Sequence, residues 1–422
     1  MKISKYIQYI LVALMPITAF AQTPTDSETF AESPMCKQQT LTGDWSGSRT
    51  DLKESGIAIK AEYTGFYQGM EQGTGDKGYN FDNRFDLYAD FDLGELGLWE
   101  GAKLHTHTEY VTGNTPMFHG GALWPQFSGT VVPLGYNDEI ALTSLYLSKS
   151  YDSTHVMFGK INALDLLAGD QFFGGLGTER FMNIAFVAPP SGLVPPVMTG
   201  AIVSHRMGDY TFTGMVFDPN DQTSNNNFKG LFDELNVQLG ITKRVKLFDR
   251  ASTIGLNGTY STATKKDLRD FLLPVDTTLP FDDIAGTKNG SYSISLQASH
   301  ILVESDAIPG KGLGIYAKGT LSDGNPNIIN SSLLAGFTAE GIINARPHDK
   351  IGLGYYYYNF SDHLQDALLP LAEYKNEDGV ELYYNASITP WMNITADIQA
   401  INPATANNDD IVMLGLRIHI KL

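Results

Sequence analysis

The chain has 422 residues, including 42 glycines, 22 phenylalanines and 21 tyrosines, and its formal charge is −18. This acidic balance argues against nucleic acid as a partner, and the single cysteine, Cys36, cannot close a disulfide within the chain. Beyond the N-terminal region no apolar run reaches the ~20 residues that a spanning helix needs, since the longest candidate, 183–204, is broken by four prolines.

The first residues predict export from the cytoplasm. Lys2 and Lys5 precede the mostly apolar stretch 7–13, and the sequence Ala-Phe-Ala ending at Ala21 supplies the small residues that a signal peptidase reads. We therefore predict a signal peptide at 1–21 and Sec-dependent export. The alternative, an uncleaved anchor, is disfavoured because the apolar stretch is shorter than a spanning helix. Removal of the two lysines changes the formal charge from −18 to −20.

Two short segments separate this leader from the rest of the chain. Residues 22–40 are polar and aperiodic, which predicts an extended N-terminal linker. Residues 41–56 contain possible N-cap residues at Asp44 or Ser46 and end at Gly56, which predicts one short helical segment. We expect the main folded domain to begin immediately after this helix.

From residue 57 onward, apolar and polar side chains alternate with a period of two in sixteen segments. The predicted strands are 57–68, 79–92, 102–112, 139–149, 154–160, 197–206, 210–218, 234–245, 251–262, 290–301, 311–320, 332–345, 349–360, 378–388, 391–401 and 411–422. Connections after odd-numbered strands are mostly long, as in 161–196, and those after even-numbered strands are mostly short, as in 346–348. Long extracellular loops and short periplasmic turns are typical of membrane barrels. We predict an all-β fold, a sixteen-stranded antiparallel up-and-down transmembrane β-barrel over 57–422 with a short N-terminal helix.

The second and last strands show the alternation clearly. In the second strand, Phe81 would face lipid, while Arg84 and Asp86 would face the lumen. In the last strand, Leu416 would face lipid and Arg417 the lumen. A strand face that carries charged side chains must meet water, so the opposite, apolar face is the one that meets lipid.

Several motifs resemble a known family. Residues 41–49 read LTGDWSGSR and are followed by Leu52 and by Gly56 and Ile57, which resembles the N-terminal signature L-T-G-D-W-G-G-x-R of OprB-type carbohydrate-selective porins. Further matches are FGK at 158–160, FMN at 181–183, EG at 340–341, RPHD at 346–349, ELYY at 381–384, TPW at 389–391 and DIQ at 397–399. Together these motifs cover nearly the whole mature chain.

The resemblance implies a sixteen-stranded barrel in the outer membrane of a Gram-negative bacterium, with an N-terminal helix, that passes sugars by facilitated diffusion. Two positions depart from the pattern. Ser46 stands where the signature has its first glycine after tryptophan, and the chain ends in Leu422, where outer-membrane barrels usually end in an aromatic residue. The expected partners are sugar solutes, outer-membrane lipid and the barrel-assembly machinery, with no nucleic acid. The sequence leaves the sugar and the oligomeric state, monomer or trimer, open.

A barrel of sixteen strands leaves an aqueous channel, so selectivity depends on what narrows it. We expect the connection 161–196 to fold inward as the constriction. A sugar presents an apolar face and a ring of hydroxyls, so its pore needs aromatic rings beside charged hydrogen-bonding groups. The residues predicted to line the substrate pathway are Glu62, Arg84, Asp86, Glu109, Trp124, Asp170, Phe172, Phe173, Glu179 and Arg180. The alternative interpretation is that loop aromatics only pack loops together and that inward residues are polar without selecting anything.

Other chemistries find little support in the sequence. No nucleophile and base stand out as a catalytic pair, and FGGLG at 173–177 lacks the spacing and the Lys-Ser/Thr end of a phosphate loop. His105, His107 and Glu109 share a strand face and could chelate a metal, but ordinary lumen polarity explains all three. We expect no enzymatic activity, no metal and no cofactor. The alternative function is a general diffusion or cation-preferring porin, which the acidic charge would suit.

Overall fold

A computed structural model of the protein describes residues 37–113, 120–123, 139–168, 170, 172, 178–187, 193–223, 230–270 and 286–422. The predicted signal peptide and most of the predicted linker lie outside these residues. Within them, sixteen strands form one closed antiparallel sheet in which each strand pairs with its neighbours in the chain and the first pairs with the last. The predicted barrel is therefore confirmed.

The strands are β1 (Ile57–Gln72), β2 (Tyr79–Asp92), β3 (Ala102–Thr112), β4 (Glu139–Tyr151), β5 (Thr154–Asn162), β6 (Val197–Met207), β7 (Tyr210–Phe217), β8 (Asn236–Leu247), β9 (Arg250–Lys266), β10 (Thr287–Glu304), β11 (Gly312–Ser322), β12 (Ile329–Glu340), β13 (Lys350–Phe360), β14 (Glu377–Thr389), β15 (Met392–Asn402) and β16 (Ile411–Lys421). The helices are α1 (Ser48–Glu54), α2 (Ala163–Leu167), α3 (Ile184–Val187) and α4 (Asp362–Leu368), with 3-10 turns at Trp45–Gly47 and Leu268–Asp270. In the described part of the chain, no helix has both the length and the apolar character needed to cross a membrane.

The connections alternate in length as predicted. One end of the barrel, which we call the short-turn end, carries the tight turns 152–153, 208–209, 248–249 and 390–391. The opposite end, which we call the loop end, carries the long connections 113–138, 163–196, 218–235, 267–286 and 361–376. In outer-membrane barrels the short turns face the periplasm and the long loops face outward.

The predicted bounds of β12 were wrong. The sequence predicted a strand over 332–345, whereas the strand spans Ile329–Glu340 and the turn that follows is 341–349 rather than 346–348. Gly341 adopts a left-handed backbone with φ of 77°, which ends the strand. Arg346 then donates to Asp349 at 2.5 Å within the turn.

The N-terminal helix is confirmed, but it begins later than predicted. Ser46 and Gly47 have φ values of 59° and 99°, so a 3-10 turn and α1 are separate elements and α1 starts at Ser48. Gly47 rather than Asp44 or Ser46 occupies the N-cap position of α1, and Asp44 reaches the first turn from outside the helix. The Asp44 carboxylate accepts the backbone N–H of Thr50 at 3.0 Å.

The N-terminal segment is fastened to the last strand at the short-turn end. The backbone N–H of Leu41 donates to the carbonyl of Lys421 at 2.7 Å. Arg49 donates to the carbonyl of Leu422 at 2.9 Å and lies 4.2 Å from the centroid of the Trp45 ring. The residues of the N-terminal signature therefore contact the end of β16 directly.

Burial follows the predicted alternation of side chains. Phe81 and Leu416 point outward and are 55% and 53% exposed. Arg84, Asp86 and Arg417 point into the lumen and are at most 1% exposed. Charged residues this deeply buried need fixed partners inside the barrel, because an unpaired buried charge is costly.

The largest hydrophobic cluster lies inside the barrel, where the connection 163–196, which we call loop 3, meets the wall. Phe181 of loop 3 stacks on Phe186 at 4.4 Å and meets Tyr383 of β14 edge-on at 4.9 Å. Phe186 also meets Tyr356 of β13 edge-on at 5.9 Å. The lumen face of β13 carries Gly354 here, where a Cβ atom would lie only 2.6 Å from the Phe186 ring. The predicted inward fold of the loop is thus present in the described residues.

Candidate functional site

Loop 3 is held against the lumen wall at two places, and the first is a buried ion-pair network on β2 and β3. Both ring nitrogens of His107 lie 2.9 Å from a carboxylate oxygen, one of Asp86 and one of Asp165 in α2 of loop 3. His107 therefore links the wall at Asp86 to loop 3 at Asp165. Arg84 lies 2.8 Å from Asp86 and 3.6 Å from Glu109 in the same network. We call this set the first anchor.

Asn162, the last residue of β5, extends the first anchor to the start of loop 3. Its side-chain amide donates to Glu109 at 2.7 Å, and its carbonyl oxygen accepts the backbone N–H of Leu164 at 3.0 Å. The second contact is an N-cap for α2. The backbone N–H of Asn162 donates to Ser144 of β4 at 3.0 Å. The loop therefore leaves the barrel wall in a fixed direction.

The three residues that the sequence offered as possible metal ligands do not converge. His105 pairs with Asp90 at 2.7 Å and with Ser148 at 2.8 Å, away from His107. The residues that do converge are Asp86, His107 and Glu109, whose ligand atoms lie within 4.8 Å of one another. The Arg84 guanidinium pairs with both carboxylates of this group, so a resident cation already balances the charge that a metal ion would neutralise.

The second anchor lies on β14 and β15, and in the closed sheet β1 and β16 separate β15 from β2 of the first anchor. The two oxygens of Glu381 accept the backbone N–H groups of Met182 and Asn183 at 2.5 and 3.0 Å. The Asn183 side chain donates to Gln399 at 3.0 Å. A typical intramolecular hydrogen bond contributes about 0.5–1.5 kcal/mol to stability. Backbone contacts of this kind fix the loop whatever side chains it carries, and these four residues are what we call the second anchor.

Two arginines strengthen the hold near the second anchor. Arg417 of β16 donates to the backbone carbonyl of Arg180 at 2.8 Å and to Thr395 at 2.9 Å. The Arg180 side chain in turn lies 3.5 Å from Glu340 at the end of β12. Arg180, predicted from the sequence to line the pathway, is therefore largely buried and contacts the wall on two sides.

Glu179 fixes the part of the described loop that lies nearest the short-turn end. Its carboxylate pairs with Lys350, lies 3.4 Å from Lys421 and accepts a bond from Asn393 at 3.0 Å. Burial alone would raise the pKa of Glu179, but attraction by Lys350 and then Lys421 outweighs it and holds the pKa well below its usual range. This carboxylate remains ionised at neutral pH.

Asp170 and Phe172 lie on another side of the lumen, against β11. Asp170 accepts the backbone N–H of Phe172 at 2.6 Å. The Phe172 ring contacts the Tyr316 ring at a centroid distance of 6.1 Å and covers Gly314. Phe172 is partly buried in the hydrophobic cluster and keeps some exposed surface.

The other wall and loop candidates occupy different environments. Glu62 is 4% exposed and lies 3.0 Å from Lys60 and 3.5 Å from His419. Arg84, Asp86 and Glu109 belong to the first anchor and have no exposed surface. The remaining two candidates, Trp124 and Phe173, lie outside the described residues.

Apart from Lys318 of β11, the lumen wall opposite the anchors is mostly neutral and hydrophilic away from the strand ends. Its inward positions on β7 to β12 carry hydroxyl and amide side chains: Thr213, Gln238, Asn257, Thr259, Ser293, Ser295, Gln297, Thr320 and Ser332. Several bond to one another, as Ser295 does with Thr320 at 2.8 Å. Such groups exchange hydrogen bonds with a passing solute without a large desolvation cost, because water can replace either partner.

Sequence reasoning missed the residues that hold the loop. Asn162, His107, Glu381, Gln399 and Arg417 were not among the predicted site residues, although the alternation placed the side chains of the last four in the lumen. Glu381 and Gln399 lie in the ELYY and DIQ motifs that carried the family resemblance. The missing information was which inward residues meet a loop and which meet water.

A closed sixteen-stranded barrel with a polar lumen and an inward loop defines the class of outer-membrane diffusion channels. The family model described as carbohydrate-selective porin, OprB family, matches residues 76–422. The chain belongs to that family. It is a carbohydrate porin of the Gram-negative outer membrane, and both family and fold are those of a channel.

Individual relatives agree with this assignment. Porin B of Pseudomonas aeruginosa is 25% identical over 423 residues, covering 90% of each chain. The high-pH structure of Pseudomonas putida OprB superposes with a TM-score of 0.76 at 19% identity, covering 93% of this chain and 100% of that one. The low-pH structure of the same protein gives a TM-score of 0.58 at 18% identity, covering 92% and 99%. At these identities the two structures support the fold alone.

Proposed function

We propose that loop 3 forms the constriction of this carbohydrate porin and that the two anchors fix its aperture. The observation that carries the proposal is the pair of hydrogen bonds from the Met182 and Asn183 backbone to Glu381 on β14. A loop fixed inside the barrel at two separate parts of the wall narrows the channel to the space beside it. Phe181, which is fully buried, adds a hydrophobic hold to the same segment.

Sugars then pass between loop 3 and the largely hydroxyl- and amide-lined wall of β7 to β12. The hydroxyl and amide groups of that wall suit the hydroxyls of a sugar, while Phe172 offers an aromatic ring for an apolar sugar face and Asp170 a carboxylate acceptor. Phe173 and Trp124 stay predicted members of this pathway.

The remaining candidates act on the solute through the position of the loop. Arg84, Asp86 and Glu109 belong to the first anchor, and Glu179 and Arg180 hold the lower part of loop 3. Glu62 belongs to the wall of the exit region. We propose that these six residues set the width of the pathway and the electric field within it, because too little of their surface is exposed to contact a sugar.

The test is planar-bilayer conductance with a panel of neutral mono- and oligosaccharides. The wild-type pore should conduct small ions weakly and show saturable block by sugar. Phe172→Ala should weaken that block, while Phe212→Ala, which removes the same ring from the outer face of β7, should not. A large, cation-selective current that no sugar affects would favour a general diffusion or cation-preferring porin. An unchanged block in Phe172→Ala would move the sugar site away from this part of loop 3.

A further inference from the structure

Lys318 is a lumen residue for which the barrel wall supplies no partner. It lies in the middle of β11, where Tyr316 and Thr320 on either side are buried in the lumen and Ile315 and Leu321 are 44% and 66% exposed on the outer face. The alternation therefore directs the Lys318 side chain inward. Its nearest residue in the register of β10 is Gln297.

The wall around Lys318 is neutral. Away from the strand ends, the described lumen-facing residues of β6 to β13 carry no other formal charge at neutral pH. The local field on this side of the lumen is therefore set by one ammonium group and by the facing part of loop 3. The excess of acidic residues elsewhere is screened over about 8 Å at physiological ionic strength.

The Lys318 ammonium also has N–H donors without an acceptor among the described residues. Within the part of the chain that the structure describes, it has no hydrogen-bond partner and no ion-pair partner within 4.0 Å. Asp170 of loop 3 is the charged group that acts on it, and that carboxylate already accepts the Phe172 backbone N–H at 2.6 Å. A half-buried ammonium has three N–H donors and must find acceptors in water or in a solute.

We propose that Lys318 makes this porin selective for carboxylate-bearing sugars, with Lys318 binding the carboxylate and Phe172 covering the apolar sugar face. This inference rests on the proposed function, because it places the selective contact beside the constriction formed by loop 3. A charge-assisted hydrogen bond is roughly twice as strong as a neutral one, so a sugar acid gains more here than the neutral sugar of the same shape.

The experiment compares current block by glucuronate and by glucose in the same reconstituted channels. Wild-type protein should bind glucuronate roughly three- to tenfold more tightly at 0.15 M KCl. The ratio should shrink at 1 M KCl, where screening acts over about 3 Å. Lys318→Gln should bring the ratio close to one, and Lys318→Arg should retain it. Lys103→Gln serves as control, because that lysine lies near the short-turn end, 55% exposed and 3.4 Å from Asp92, and should keep the wild-type ratio.

A ratio of one in the wild type, with glucose still blocking, would overturn this inference and leave the proposed function standing. A wild-type ratio that survives in Lys318→Gln would overturn it as well, because the selectivity would then come from other groups. If neither solute blocks the wild-type current, both proposals fail. Heat-modifiable migration in gels identifies variants that have formed the barrel. Lys318→Met, which removes the charge but keeps a long side chain, should likewise bring the ratio close to one and serves as the test if the glutamine variant does not fold.

Discussion

Truncation of Phe181 to alanine tests whether packing holds loop 3 in the lumen. The side chain is 0% exposed, stacks on Phe186 at 4.4 Å and meets Tyr383 at 4.9 Å. Removal of a fully buried phenylalanine ring costs about 3–5 kcal/mol. None of the strand pairs involves this residue, so the loss falls on the docking of the loop. A loss of about 4 kcal/mol raises the ratio of released to docked loop by roughly a thousandfold.

Single-channel recording in planar bilayers measures this effect. Phe181→Ala should give a larger and noisier conductance than the wild type, with weaker sugar block. Phe158→Ala removes the same ring from the outer face of β5, where it is 60% exposed, and should leave both quantities unchanged. If Phe181→Ala forms a heat-modifiable barrel with wild-type conductance and block, the packing of this ring does not set the aperture and the reasoning is refuted.

Three further changes address other contacts. Leu416→Arg should destabilise the barrel by about 2–4 kcal/mol, because its side chain would meet lipid near mid-membrane; Arg at the lumen-facing Gly415 should cost less, with urea unfolding in lipid vesicles as the measure. Arg49→Ala should lower the free energy of unfolding by about 1–3 kcal/mol, since it removes a charged donor to the Leu422 carbonyl. Glu179→Gln should raise conductance at pH 7. Because the pKa of the wild-type carboxylate is lowered, the stabilisation of loop 3 by its ion pairs is complete above pH 4.5, the ordinary pKa of a glutamate. That stabilisation declines only as the pH falls further.

Each of these outcomes has its own contradiction. Equal costs of arginine at 415 and 416 would mean that the assigned register is off by one residue. Lys53→Ala, on the exposed side of the same helix as Arg49, should be neutral, and a matching loss there would show a general effect of the helix. Wild-type conductance that changes between pH 8 and pH 5 would contradict the sign derived for Glu179.

The strands were predictable because their signal is local. In β2, alternation at Phe81 and Arg84 reports which face is wet, and the reading needs no knowledge of the rest of the chain. The end of β12 was not predictable, because the local pattern continues past the point where the strand ends. Ile342 and Ile343 continue an apolar pattern, yet the left-handed Gly341 ends the strand, and both isoleucines are about 40% exposed in the following turn.

For the site, the sequence predicted only which side chains point into the lumen. The alternation placed Arg84, Asp86 and Glu109 in the lumen, where they lie. Whether an inward residue meets water or protein depends on where a long loop comes to rest, and that is decided by contacts distant in sequence, such as Met182 with Glu381. Period-two patterns carry no information about such contacts.

The closure of the barrel has a consequence for how fast it can assemble. Glu62 of β1 pairs with Lys421 of β16, roughly 360 positions away, and the chain-entropy cost of bringing such distant segments together is about 5 kcal/mol before constant terms. Each of the other strand pairs joins neighbours in the chain. Neighbouring strands can therefore pair first. Until β1 pairs with β16, the intermediate is an open sheet with two unpaired edges, which is prone to aggregation. The encounter of the two chain ends is thus the slow, high-contact-order step of folding.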